Sequence, residues 1–136
     1  MLEEAIEVRY PQTVLVNPQI EVLDDSGETG YYTSLQIDSA GRPHISYYDS
    51  LNDDLKYAHQ DGTGWQIETV DRAGCVGSDS SLALDSADRP HISYYDLTND
   101  DLKYASRAPD GIRTNEHAGI TWQIETLPTG SEGSVG

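Results

Sequence analysis

Apolar and polar residues alternate along most of this chain in short runs, a period typical of β-strands rather than helices. In the run SLQID, Leu35 and Ile37 alternate with polar neighbours and point to one face. In the run HISYYD, Ile45 and Tyr47 share a face in the same way. The runs LKYA and WQIETV follow, and turn residues such as Gly, Pro and Asp separate all four runs. The pattern therefore predicts four antiparallel strands joined by hairpins.

The four runs occur twice, because the sequence repeats itself at an offset of 47 residues. Residues 33–58 and 80–105 agree at 20 of 26 positions, which include the stretch RPHISYYD. The stretch WQIET recurs at 65–69 and 122–126, where a ten-residue insertion near 106–121 delays the second copy. Four strands in a unit of this length are the size of one propeller blade. The sequence thus predicts an all-β fold of propeller blades.

The repeat also divides the chain, which reads as the tail of one unit followed by two whole units. Residues 18–38 align with residues 65–85, so each chain holds one fourth-strand segment, at 18–23, more than two blades require. We expect this extra strand to lie against a neighbouring chain. The predicted parts are a non-repeat N-terminal segment at 1–17, a partial blade with an outer strand and loop at 18–32, a first blade at 33–70, a second blade at 71–127 and a flexible tail at 128–136.

The repeated pattern PHISYYD…NDDLKYA…W resembles the blade repeat of bacterial and archaeal secreted or surface β-propellers of the broad sialidase-like, Asp-box-containing group. The resemblance covers roughly residues 18–127. It implies four-stranded blades and a location outside the cell or on its surface. Two features depart from the family pattern: Pro18 stands where Trp65 and Trp122 stand, and the linker DGTGW only approximates an Asp box.

Two blades cannot close a ring, since propellers need about four to eight. Open blade faces would expose rows of Leu, Tyr and Trp and leave sheet edges unpaired. We therefore expect other copies of the same chain as partners, in a closed homo-oligomer of about three or four chains. The alternative is that the chain is a piece of a longer protein.

The charge narrows the range of further partners. The formal net charge is −16, with 24 acidic residues against 8 basic ones, which argues against nucleic acid and against an anionic membrane surface. Cations or neutral ligands fit better. Cys75 is the only cysteine, so no internal disulfide is predicted. The opening stretch MLEEAIEVRY has no signal-peptide pattern and no run approaches a membrane span, so the location of the protein stays open.

The motif RPHISYYD is either a copied catalytic motif or a copied structural unit. His44 and His91 recur with the same neighbours, whereas a catalytic site on a propeller normally draws different residues from different blades. We therefore interpret both as structural positions. A sialidase-like glycosidase would need a cluster of Arg, but Arg42 and Arg89 are one repeated turn position. We predict that the protein is not an enzyme, and a glycosidase stays the second alternative.

Acidic and amide side chains follow the second strand of each unit. Such oxygens suit Ca²⁺, yet Asp and Asn are also the ordinary residues of tight turns, and no EF-hand Gly or distal Glu accompanies them. Ca²⁺ is thus the only cofactor that the sequence suggests, and the turn interpretation is the simpler one. The residues are Asp49, Asn52, Asp53 and Asp54 in the first unit and Asp96, Asn99, Asp100 and Asp101 in the second.

A carbohydrate site is the main alternative to a purely structural surface. Tyr31 and Tyr32 correspond to Ser78 and Asp79, on the propeller face that also carries the acidic turns. Exposed aromatic rings beside carboxylates are the groups that sugars stack on and bond to. The other interpretation packs the two tyrosines at a blade seam. The candidate ligand-binding residues are Tyr31, Tyr32, Ser78, Asp79, Asp49 and Asp96.

The sequence as a whole predicts a non-catalytic β-propeller module for binding or structural assembly, which self-associates to close or extend the propeller. Lectin-like carbohydrate binding is the first alternative. The ligand, the number of chains in the ring and the source compartment are left undetermined.

Overall fold

The computed structural model describes residues 19–108 and 122–127. Every regular element in these residues is a β-strand, and the strands form two four-stranded antiparallel sheets in sequential order. The all-β prediction is confirmed. The first sheet contains β1 (Thr29–Ile37), β2 (Pro43–Asp49), β3 (Asp54–Gln60) and β4 (Trp65–Asp71); the second contains β5 (Val76–Leu84), β6 (Pro90–Asp96), β7 (Asp101–Arg107) and β8 (Trp122–Thr126).

The two sheets share one register. Ile45 lies opposite Ala58 in the first sheet, and Ile92 lies opposite Ala105, 47 residues later, in the second. Both first strands carry an irregularity at the same place, where Tyr32 and Asp79 adopt φ of 53° and 54°. Left-handed backbone is unusual for a bulky residue such as Tyr32. The sequence repeat is therefore a repeat of strand pairing and of backbone irregularities.

Each sheet has two faces, which we name by their residues. The front face carries Leu35, Ile45, Tyr47 and Ala58 in the first sheet and Leu82, Ile92, Tyr94 and Ala105 in the second. The back face carries Ser46, Leu55 and Tyr57 in the first sheet and Ser93, Leu102 and Tyr104 in the second. The back of the first sheet packs on the front of the second, and the shared core is Leu55, Tyr57, Val70, Val76, Leu82, Ile92, Tyr94 and Ala105.

This stacking leaves no sheet on the front of the first sheet or on the back of the second sheet, although Tyr47 and Ala58 on that front are buried. Leu35 is 55% exposed, whereas its equivalent Leu82 in the shared core is 3% exposed. Leu102 is 52% exposed, whereas its equivalent Leu55 is fully buried. These two pairs of equivalent leucines thus differ in burial because only one leucine of each pair has a sheet packed against it.

The structure differs from the predicted boundaries near the start of the described residues. Residues 19–23 form no strand, although the pattern predicts one at 18–23, and Ile20 and Val22 are 92% and 79% exposed. A strand needs a neighbouring strand to pair with, and no described strand lies along this segment. β1 begins at Thr29, before the predicted blade boundary at 33. The segment 1–17, Pro18, most of the insertion (109–121) and the tail 128–136 lie outside the described residues.

Candidate functional site

The seam between the two sheets is held by a carboxylate clamp centred on Glu68. Trp122 Nε1, from the front of the second sheet, donates a hydrogen bond to Glu68 Oε1 at 3.0 Å, and Arg107 Nη2 donates to Glu68 Oε2. His59 Nε2 lies 3.4 Å from Glu68 Oε2. The Trp122 ring meets Tyr57 edge to face, with the ring centroids 5.2 Å apart. One acidic side chain thus collects donors from both sheets.

A second polar contact closes the seam where β4 ends. Asp71 Oδ2 accepts hydrogen bonds from Tyr94 Oη and Lys103 Nζ, each at 2.7 Å. Lys103 Nζ also lies 3.8 Å from Asp96 Oδ2. These groups are buried, so the charge of Lys103 is balanced by carboxylates on two sides.

The same contact exists on the open front of the first sheet. Asp24 Oδ2 accepts hydrogen bonds from Tyr47 Oη at 2.7 Å and Lys56 Nζ at 3.0 Å. Asp24 lies 47 residues before Asp71, and Tyr47 and Lys56 lie 47 residues before Tyr94 and Lys103. Asp24 therefore occupies the position that the last residue of a preceding fourth strand would occupy.

The seam carboxylates are strongly acidic. Burial opposes the ionisation of Glu68, but His59, Arg107 and Trp122 outweigh it and lower the pKa of Glu68 to about 2. Burial also opposes the ionisation of Asp71, and the hydrogen bonds from Lys103, the Ala73 amide and Tyr94 lower its pKa below the ordinary value. These groups are charged throughout the physiological range and serve as acceptors rather than as general acids.

The front of the first sheet carries the residues that form the seam on the second sheet, but no sheet packs against them. Trp65 Nε1, the equivalent of Trp122 Nε1, is buried and has no hydrogen-bond partner among the described residues. A Cβ added at Gly77 would meet the backbone of Leu55 at 2.7 Å, whereas the equivalent Gly30 has nothing described within 4 Å. Both glycines have positive φ. The front of the first sheet thus has the features of a seam without the sheet that would complete it.

The repeated histidines link strands within each sheet. His44 Nδ1 lies 2.5 Å from Tyr57 Oη, and His44 Nε2 lies 3.1 Å from Asp38 Oδ2. The hydrogen bonds from the Arg42 amide and from His44 lower the pKa of Asp38. The second sheet repeats the arrangement with His91, Tyr104 and Asp85. Each ring nitrogen of both histidines thus has a fixed neighbour.

The candidate calcium ligands are engaged within their own turns. Asp49 Oδ1 accepts hydrogen bonds from the amides of Leu51 and Asn52, and Asp49 Oδ2 accepts one from Asn52 Nδ2 at 2.9 Å. Asp53 accepts a hydrogen bond from Tyr48 Oη at 2.6 Å. The second unit repeats these bonds from Asn99 to Asp96 and from Tyr95 to Asp100.

The remaining turn residues do not gather into a ligand set. Burial raises the pKa of Asp54, and the nearby charge of Asp49 adds to that effect. Its equivalent Asp101 is half-buried at the start of β7. No group of three or more metal-ligating side chains lies within residues 19–108 and 122–127. Calcium binding stays an untested prediction.

The candidate sugar residues lie at the two first-strand irregularities. Tyr31 and Tyr32 are each half-exposed, and the Tyr32 ring lies 6.1 Å from that of Tyr48. Ser80 Oγ donates a hydrogen bond to the Tyr32 carbonyl at 3.0 Å, which ties this irregularity to the second sheet. Ser78 lies opposite Tyr95, and Asp79 is exposed. Asp49 and Asp96 are buried in their turns, away from any exposed surface.

The two turn arginines considered for a glycosidase each pair with an aspartate of their own turn. Arg42 Nε lies 3.1 Å from Asp38 Oδ2, and Arg89 Nε lies 3.1 Å from Asp85 Oδ2, each within its own hairpin turn. Arg107 belongs to the clamp, and Arg72 is exposed after β4. Arg9 and Arg113 lie outside the described residues.

The residues that form the seam are not marked as functional by the sequence pattern. Glu68, Asp71, Lys103 and Arg107 stand in runs that read as ordinary strand and turn sequence. A signal was nevertheless present, because Asp24, Asp71, Lys56 and Lys103 recur at the repeat offset. A Lys and an Asp that recur at the same offset indicate an ion pair between adjacent units.

No protein-family model matches this chain, and no curated protein matches it significantly. The described residues contain no helix long and apolar enough to cross a membrane.

Proposed function

We propose that this chain is a non-catalytic β-propeller module that binds further copies of itself through its two open faces. The observation that carries the proposal is the paired exposure of Leu35 and Leu102, whose equivalents Leu82 and Leu55 belong to one buried core. The front of the first sheet and the back of the second sheet therefore carry the repeat positions that pack against each other in the seam. A second copy is the partner that fits both.

The contact would be head to tail, because one copy offers a front and the other a back. Such heterologous contacts close into rings when the rotation between copies allows it and otherwise continue as filaments. In the first case the rings would be β-propellers, in line with the resemblance of the repeat. A location outside the cell rests on that resemblance alone.

Charge sets the conditions for the association. At a formal net charge of −16, copies repel each other at long range. The apolar residues of the two faces attract only at contact. We therefore expect association to strengthen as salt is raised from about 10 mM to 150 mM, where the screening length falls from about 30 Å to about 8 Å.

Sedimentation of the full chain tests the proposal. The wild-type chain is expected to form species larger than 15.0 kDa at micromolar concentration, and Leu102→Asp is expected to sediment as a single chain. Leu97→Asp is the matched control, because Leu97 is similarly exposed but lies in the turn after β6. A wild-type protein that stays monomeric, or equal effects of the two variants, would contradict the proposal.

Lectin-like carbohydrate binding is the second candidate, favoured by the half-exposed rings of Tyr31 and Tyr32 at a left-handed backbone position. Aromatic faces of this kind stack on sugar rings. Titration with soluble oligosaccharides should then change the protein's tyrosine fluorescence, and Tyr31→Ala should abolish the change. Absence of any response from the wild type would remove this candidate.

A further inference from the structure

A buried donor without an acceptor marks the front of the first sheet. Trp65 Nε1 is buried and has no partner among the described residues, although the equivalent Trp122 Nε1 donates to Glu68 at 3.0 Å. Buried indole N–H groups usually have a hydrogen-bond partner. An acceptor is therefore missing beside Trp65.

The repeat identifies the residue that corresponds to this acceptor. Glu21 stands 47 positions before Glu68, in the stretch QIE that the chain carries three times. Glu21 also precedes Asp24 by three residues, as Glu68 precedes Asp71. Asp24 is already fixed by Tyr47 and Lys56. In the seam, β4 runs from Glu68 to Asp71 and brings Glu68 to Trp122. If residues 21–24 followed the same path, Glu21 would lie beside Trp65.

The segment 19–23 pairs with no strand in the described structure. It has the sequence of a fourth strand, yet Ile20 and Val22 are almost fully exposed. Val22 and Leu23, with Asp24, line one side of a cavity of about 260 Å³ whose other side is formed by Ile45, Tyr47 and Ala58 of the front face. The C-terminal end of the segment thus lies beside the surface that the segment would cover.

We propose that residues 19–23 bind the β4 side of the front face of the first sheet as an extended segment, and that Glu21 accepts the hydrogen bond of Trp65 Nε1. The inference does not rest on self-association, because donor and acceptor belong to one chain. Leu35, on the β1 side of the same face, is left open for a second copy.

The completed clamp would differ from the clamp at Glu68. Gln60 stands at the position of Arg107, and the position of His59 falls at Gln12, outside the described residues. At Trp65 the donors toward Glu21 are therefore the neutral indole and the Gln60 amide. Gln60→Arg would supply the missing charge and should strengthen the contact only while Glu21 is present.

The indole N–H resonances of the two tryptophans test the contact directly. They are recorded at a protein concentration where sedimentation shows a single chain, and Trp122→Phe assigns them. Glu21→Gln is expected to shift the Trp65 resonance and leave that of Trp122 in place. Glu68→Gln is the matched control and should shift the Trp122 resonance only.

Gln60→Arg gives a second readout. It is expected to raise the melting temperature of the wild type, to lose that gain when combined with Glu21→Ala, and to keep it when combined with Glu125→Ala. Glu125 is the equivalent residue of the second sheet and would reach Trp65 only from another copy. A gain that depends on Glu125, or a Trp65 resonance that ignores Glu21, overturns the inference. Either result would leave the sedimentation test of self-association unaffected.

Discussion

Replacing Glu68 with Ala should strongly destabilise the protein. The substitution removes the acceptor of Trp122 Nε1 and of Arg107, both within the seam. Arg107 Nε is already buried without a partner among the described residues, so the guanidinium would keep only its contacts with the rings of Tyr57 and Trp122.

The magnitude follows from burial. Breaking a buried ion pair by removing one partner costs about 3–5 kcal/mol. The side chains of Glu68 and Arg107 keep 21% and 13% of their exposure, so water partly compensates, and we expect a loss of about 2–3 kcal/mol. For a domain of this size, that loss lowers the melting temperature by roughly 7–15 °C.

Thermal unfolding followed by circular dichroism at neutral pH measures the effect. Glu125→Ala is the control at a protein concentration where the chain is single, because Glu125 holds the same strand position on the exposed outer strand of the second sheet. It should change the stability by less than about 0.5 kcal/mol. Equal melting temperatures for the two variants would refute the assignment of Glu68 as the clamp of the seam.

Acid titration gives an independent check on Glu68. Its folded pKa of about 2 lies below the ordinary value of 4.5, so its ionisation stabilises the folded state above about pH 4.5. That contribution should be lost progressively as the pH falls from about 4.5 to about 2. Glu68→Ala should show a flatter loss of stability over this window, and parallel curves for variant and wild type would contradict the pKa assignment.

Three further predictions use the two units as controls for each other. His44→Ala should lower the free energy of unfolding by about 1–3 kcal/mol and His91→Ala by less, because the His91 side chain is 33% exposed against 7% for His44. Chemical denaturation measures both values, and a larger effect of His91→Ala would contradict this prediction. Asp71→Asn should destabilise the protein more than Asp24→Asn, since Lys103, the partner of Asp71, lies in the closed seam. A larger effect of Asp24→Asn in the same assay would contradict the role of Asp71 in the seam. Millimolar Ca²⁺ should leave the melting temperature unchanged, and a rise of several degrees would instead favour a metal at the acidic turns.

The sequence was sufficient to predict the strands and their repetition, because both depend on local alternation and turn residues. It predicted a strand at 18–23, yet residues 19–23 form none, since strand formation depends on a neighbouring strand more than on composition. Burial was also beyond the sequence. Leu35 and Leu82 occupy the same position of the repeat, and only the stacking order decides which of them is buried.

The clamp was missed for a related reason. Glu68 and Glu125 stand in identical WQIET stretches, but only Glu68 has a following sheet to supply Trp122 and Arg107. A pattern within one unit cannot show contacts that form between units. Those contacts depend on how the two sheets stack.

Mixing two face-specific variants tests the central claim most directly. Leu35→Asp alters only the front face and Leu102→Asp only the back face, and both residues are exposed, so both variants should fold. Each variant alone should be monomeric by light scattering, because neither has a complete pair of faces. An equimolar mixture should form a complex of twice the 15.0 kDa chain mass and nothing larger, since one intact front can then meet one intact back. A mixture that stays monomeric, or either variant associating alone, would contradict head-to-tail association of the two faces.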